Sequence, residues 1–247
     1  VKAAPDAQKR LIDLQELDGS LDRLAHRRRT LPELAEIERL EARRTELRDA
    51  IVAAETEIGD LDREQRKAEQ DVDQVRVRAE RDQKRLDSGQ ITSAKDLSGL
   101  QTEIESLHRR QSDLEEVVLE IMERREAADG RVAALRAERE KAEEELTGLQ
   151  TRRDEAQQKI DAEIELTTAA RKGVAGDVPD DLLALYVKLR GQFGGVGAAV
   201  LHRGSCQGCR LALNTVDLNR IRAAAPDEVI RCEECRRILV RTAESGL

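Results

Sequence analysis

Aromatic side chains are nearly absent. The 247 residues include no Trp, one Tyr (Tyr186) and one Phe (Phe193). A compact core of that length draws on aromatic bulk, because each ring buries a large area. Its scarcity argues against ordinary globular domains. Long apolar runs are missing as well, which excludes a helix that spans a membrane. The start lacks a basic stretch followed by an apolar one, so no signal peptide is expected. Net charge is −8, and nothing global draws the chain to nucleic acid or to an anionic membrane. No nucleophile elbow, P-loop, dinucleotide-binding glycine motif or zincin helix occurs. The expectation is a non-enzymatic protein without a small-molecule substrate. Cysteine is absent before residue 206.

What is present is charge, 38% of the residues, mixed with Leu, Ile, Val and Ala. That mixture with helical periodicity points to long helices or coiled coil. Stepping alternately by four and three from Leu40 to Leu86 meets eleven apolar residues in fourteen. A second run from Leu97 to Ile160 meets fifteen in nineteen. Neither run slips, and a strict seven-residue repeat of this length means a left-handed coiled coil.

Between the runs lies a short connection. Gly89 suits a helix stop in the left-handed conformation. Ser93-Ala-Lys-Asp96 resembles a capping box, with Asp in place of Glu. So short a link makes the helices antiparallel neighbours. Residues 33–88 and 94–168 are therefore expected to be the arms of a hairpin, each reaching on the order of 80 Å. Two registers bring a positions against d positions, with paired residue numbers summing to 179 or to 186. They differ by one heptad, and the sequence does not choose.

The second arm's seam is interrupted at Gln111, Arg125, Arg139 and Arg153. Arg stems packed in the seam with their heads snorkelling to solvent are the favoured reading. The sharper alternative is a set of polar layers that fixes register or leaves a face for a third helix. Leu14, Leu17, Leu21 and Leu24 repeat the pattern before Pro32, which suits the first turn of a new helix. A separate N-terminal helix over 6–29 would cover the end of the second arm.

The cysteines form Cys206-Gln-Gly-Cys209 and Cys232-Glu-Glu-Cys235. Each two-residue gap lets one tight turn aim both sulfurs at one ion, and four thiolates complete a tetrahedral Zn²⁺ site. Short β-like runs at 198–201, 228–231 and 238–241 flank the pairs, with a small helix expected over 214–225. This is a zinc ribbon with one structural Zn²⁺. A closed thiolate shell leaves no coordination position for catalysis, and it suits a reducing, cytoplasmic setting. The expected division is 1–172 coiled-coil hairpin with N-terminal helix, 173–198 linker with a short helix, and 199–247 ribbon. The expected fold class is mainly α, a long antiparallel helical hairpin with a small C-terminal zinc ribbon of short strands.

The ribbon carries eight arginines against six acids. A Zn(Cys)₄ centre adds −2, so the domain is near neutral and lacks the basic footprint of phosphate binding. A local patch of Arg210, Arg231, Arg236, Arg237 and Arg241 beside the knuckles remains the candidate nucleic-acid contact. Partners stay open between nucleic acid and protein, the latter through the hairpin.

Several stretches carry a resemblance: Pro179, Tyr186 and Arg190; Gly194-Gly-Val-Gly-Ala-Ala-Val; Cys206-Gln-Gly-Cys209-Arg; and Arg231-Cys-Glu-Glu-Cys-Arg-Arg-Ile-Leu. With the tip residues 86–97 they resemble a bacterial family with a long helical hairpin and a C-terminal C4-type zinc ribbon, formerly a domain of unknown function. The resemblance covers nearly the whole chain. It implies a cytoplasmic, non-enzymatic protein that binds nucleic acid or acts as an adaptor. The sequence departs from the pattern at Arg236, where the second knuckle usually has Gly.

Overall fold

The computed structural model describes residues 1–247. Five helices and four short strands follow in the order α1 (Pro5–Arg29), α2 (Pro32–Asp87), α3 (Ala94–Gly176), α4 (Asp180–Gln192), β1 (Ala198–His202), β2 (Ser205–Cys206), α5 (Thr215–Ala223), β3 (Ile230–Arg231) and β4 (Ile238–Val240). The chain divides into two units, residues 35–150 and residues 1–34 with 151–247.

The first unit is the hairpin. Ile37, Leu40 and Leu47 of α2 pack against Ala142, Leu146 and Leu149 of α3. Further along, Leu61 and Ala68 pack against Ile121 and Ala128. Each buried leucine or isoleucine contributes roughly 1.5–3 kcal/mol. The alternation of four and three that marks the sequence is therefore the seam itself. Gly89 has φ +68, the left-handed stop. Ser93 caps α3 through its Oγ, which accepts from the Asp96 amide at 3.5 Å.

The structure selects one register. Ion pairs cross between the arms at Arg43–Glu138, Arg78–Glu103, Arg125–Asp62, Arg124–Glu64, Arg131–Glu57 and Arg136–Glu55. Their paired numbers centre on 186. In the other register Arg136 and Glu55 would sit about 18 Å apart along the axis, beyond reach.

The seam interruptions take the snorkelling form. Arg125 reaches Asp62 and Asp129, and Arg139 reaches Glu143. Gln111 donates to Glu115 at 2.8 Å. In these three an acid four positions later holds the head at the rim of the seam, while Arg153 pairs with the adjacent Asp154 at 2.7 Å.

The second unit joins α1, the end of α3, α4 and the ribbon. Its core is Leu11 and Leu14 of α1, Leu182, Tyr186 and Leu189 of α4, and Ala198, Ile238 and Val240 of the sheet. Helix α3 continues to Gly176, past the stop expected near 168 and into the expected linker. Val174 and Ala175 pack on this core, and Arg171 is held by Asp18, so tertiary contacts override weak propensity. Helix α1 covers this end of α3, with Arg28 paired to Asp161 at 2.7 Å.

The sheet order is β2-β1-β4-β3, with β1 and β4 parallel and the outer pairs antiparallel. All three residues of β4 are buried, as befits a central strand covered on both faces. Asn214 caps α5 by accepting from the Asp217 amide at 2.8 Å. The N-terminus ties onto the ribbon, where the Ala3 amide donates to the Asp227 carbonyl at 2.8 Å. No helix is long and apolar enough to cross a membrane.

Candidate metal centre

Both knuckles are built the same way. The Arg210 amide donates to the Cys206 carbonyl at 2.7 Å, and the Arg236 amide donates to the Cys232 carbonyl at 2.8 Å. Each bond closes a turn that brings its two sulfurs to one side. Strands β1 and β4 then set the turns face to face. Cys206 Sγ lies 3.8 Å from Cys235 Sγ, and Cys209 Sγ lies 3.9 Å from Cys232 Sγ. All four sulfurs fall within 4.8 Å of one another. A tetrahedron with Zn–S bonds of about 2.3 Å has edges of about 3.8 Å, so the sulfurs fit one zinc ion. Cys206, Cys209, Cys232 and Cys235 are the ligands that would hold it.

The electrostatics fit a metal better than bare thiols. Burial pushes the Cys206 thiol up and the Cys232 thiol up to about 12. Burial acts on Cys235 in the same sense. The Arg237 backbone N–H, with hydrogen bonds from the Arg237, Cys232 and Cys209 side chains, outweighs it and lowers that thiol to about 7. Loading zinc therefore expels protons from buried sulfurs, which makes binding dependent on pH.

Gly208 is required for space, not for a left-handed backbone. A Cβ there would stand 3.0 Å from Ala199 Cβ and 3.0 Å from Arg237 Cδ. The left-handed positions are occupied by arginine instead, Arg210 at φ +62 and Arg236 at φ +63. An L-residue pays about 1 kcal/mol there. Arg236, the residue that departs from the family pattern, thus adopts the conformation that glycine would take, and Arg210 does the same in the first knuckle.

The five candidate arginines separate into two groups. Arg210, Arg231 and Arg236 are exposed beside the knuckles; Arg236 pairs with Glu233 at 3.3 Å, and Arg231 Nε donates to the Arg236 carbonyl at 2.7 Å. Arg237 points inward. It donates to the carbonyls of Val196 at 3.0 Å and Phe193 at 2.9 Å, and it lies over the Phe193 ring, 5.6 Å from the centroid. Arg241 donates to the carbonyls of Ile221, Ala224, Ala225, Pro226 and Glu228, so it staples the loop after α5. His202 turns away from the sulfurs, with Nδ1 3.2 Å from Glu244; His26 and His108 are exposed on helices.

A polar clamp behind the ribbon escaped the sequence reading. Asp18, 2% exposed, accepts from Arg171 at 2.5 Å and from the Tyr186 hydroxyl at 2.6 Å. Gln15 accepts from the Gly197 amide at 2.7 Å and donates to the Gly195 carbonyl at 2.9 Å. Burial would raise the Asp18 carboxyl. Hydrogen bonds from Arg171 and Tyr186, with the charges of Arg171 and Arg190, outweigh it and hold the group below the usual carboxylate range. The signal was an acid at Asp18 on the buried stripe of Leu11 and Leu14, where a hydrophobe belongs.

A helical hairpin joined to a ribbon with four converging thiols defines a zinc-ribbon coiled-coil protein. The matching families agree: the CT398-like coiled coil hairpin domain over residues 14–194 and the C4-type zinc ribbon domain over residues 205–239. The chain belongs to the CT398-like hairpin family and carries a C4 zinc ribbon with one structural zinc site. An uncharacterized protein of Mycobacterium tuberculosis is 36% identical over 241 residues, covering 98% of each chain. A solved structure from Mycobacterium smegmatis superposes with a TM-score of 0.84 at 36% identity, covering 98% of this chain and 100% of that one. CT398 from Chlamydia trachomatis shares the fold at a TM-score of 0.74 and 19% identity, covering 96% and 98%.

Proposed function

We propose that the protein is a non-enzymatic, cytoplasmic docking scaffold. The hairpin binds a protein partner, and zinc holds the ribbon's fold. One observation carries this reading: Leu119 and Met122, three residues apart on α3, stand 59% and 46% exposed on a highly charged hairpin, beside a hollow that Val72 and Val118 line. Exposed apolar groups rimmed by charge mark protein contact sites. The closed thiolate shell supports a structural role for the metal. Arg237 and Arg241 spend their heads on the chain's own carbonyls, which leaves a thin basic surface for phosphate.

A second reading, an adaptor that docks nucleic acid, keeps Arg210, Arg231 and Arg236 as its contacts, since all three are exposed beside the knuckles. The two separate in one experiment. The zinc-loaded chain is titrated with mixed single- and double-stranded oligonucleotides at low salt, and partners are captured from native extract with and without nuclease. The scaffold expects no salt-dependent oligonucleotide binding and the same captured proteins in both extracts. Binding that weakens steeply with salt, and is lost when the three arginines become Ala, would replace it with the second reading.

A further inference from the structure

The seam of α3 uses Leu114, Val118, Ile121 and Ala128. Leu119 and Met122 lie one position beyond it and are 59% and 46% exposed. With Glu115 and Glu126 they keep a four-three-four spacing, so they form a second stripe alongside the seam. Two shallow hollows meet at Leu119, and Val72 and Val118 extend the apolar surface into the cleft between α2 and α3.

The charge around this stripe is one-sided. Glu69, Asp73, Glu115, Glu123, Glu126 and Asp129 line the hollows against a single cation, Arg125. That cation is already engaged by Asp62 and Asp129, and Asp73 is paired with Arg76. Glu69 and Glu115 accept from the neutral amides of Gln65 and Gln111 at 2.8 Å each. Those bonds orient the carboxylates without cancelling their charge.

We propose that this cleft docks a cationic amphipathic helix. The helix would lie as a third strand, its apolar stripe on Leu119 and Met122. Its Lys or Arg flanks would meet Glu69, Glu115, Glu123 and Glu126. Two copies of the chain meeting through this face would set like charges against each other, which costs affinity. The stripe from Glu115 to Glu126 spans about 16 Å, some three turns of helix, so the contact is small. The proposal rests on the docking-scaffold reading and names its site.

The test uses the zinc-loaded full chain and a Leu–Lys amphipathic peptide of about 18 residues, long enough for five turns. A scrambled peptide of equal composition and a Leu–Glu counterpart serve as controls, at about 0.15 M salt where long-range attraction is screened. The Leu–Lys peptide is expected to bind saturably, one per chain, and more tightly than either control. Leu119→Ser with Met122→Ser, and separately Glu123→Lys with Glu126→Lys, should each weaken it by roughly tenfold, about 1.4 kcal/mol. All four residues are exposed, and unchanged helicity and melting will show that the variants fold. No binding, equal binding of the scrambled peptide, or indifference to both double variants would overturn the proposal. So would a doubled mass in solution that Leu119→Ser abolishes, since a second copy would then be the occupant. If peptide binding fails while capture of proteins survives nuclease, the scaffold stands and its site lies elsewhere.

Discussion

Tyr186 donates its hydroxyl to the buried carboxylate of Asp18 across 2.6 Å, and the bond joins α4 to α1. Burial, then the adjacent carboxylate, pushes the Tyr186 hydroxyl well above its usual range, so it remains a donor throughout the physiological range. Arg171 and Arg190 share the same carboxylate. Four side chains thereby fix α1, α3 and α4 behind the ribbon.

The clamp should be visible in stability. Tyr186→Phe removes a buried bond to a charged group and should cost about 1–3 kcal/mol. Asp18→Ala should cost more, up to about 3–5 kcal/mol, because it strands Arg171, while Arg190 keeps its pair with Asp22 at 2.6 Å. Chemical denaturation monitored by circular dichroism measures both. The Asp18 carboxyl lies low in the folded state, so its contribution is complete above the unfolded value of about 3.9. It is lost as pH falls from there through the folded value. Relative to Asp18→Asn, the native chain should therefore lose extra stability below about pH 4. Parallel slopes for the two proteins would refute this assignment.

Zinc removal should separate the two parts of the chain. Purified protein that has seen no chelator should hold one zinc, and Cys232→Ser should lose it. The ribbon's own core is small, Leu201, Leu213, Ile221, Ile230 and Leu239 beside the buried Cys206 and Cys232, so its folding depends on the ion. A strong chelator should abolish proton-exchange protection over β1 to β4 and leave residues 35–150 helical. Elemental analysis and hydrogen exchange measure the two effects.

The knuckle arginines make a prediction of unusual sign. Arg236 sits at φ +63, where glycine is at ease. Arg236→Gly should retain zinc and stabilise the ribbon by up to about 1 kcal/mol. Arg236→Val should destabilise it, since a β-branched residue tolerates that region worst. Gly208→Ala should also destabilise, because its Cβ would press on Ala199 and Arg237 at 3.0 Å. Melting of the zinc-loaded variants ranks all three.

The register can be read chemically. Ile58 and Ala128 sum to 186 and lie between the cross-arm ion pairs Arg125–Asp62 and Arg131–Glu57. Cysteines placed at 58 and 128 should be joined by a short thiol cross-linker. Cysteines at 51 and 128, which sum to 179, stand about 10 Å out of step and should not be. Peptide mapping after digestion distinguishes the outcomes.

The sequence alone determined the seam, the hairpin turn at Gly89 and Ser93, the separate N-terminal helix and the metal site. Each follows from local spacing. The seven-residue repeat is what a coiled coil is made of, and a C-x₂-C turn needs no distant residue to aim its sulfurs. Tertiary structure decided the rest. Both registers place apolar residues opposite apolar residues, and cross-arm pairs such as Arg136 with Glu55 separate them. The end of α3 depends on a core formed with α4 and with α1, which lies far away in the chain. The arginines looked alike in sequence, yet Arg237 and Arg241 bury their heads among carbonyls that only the folded loops bring near, while Arg210 and Arg236 face solvent. A guanidinium has five donors and no preferred partner in the sequence, so its role is fixed by which oxygens the fold places within reach.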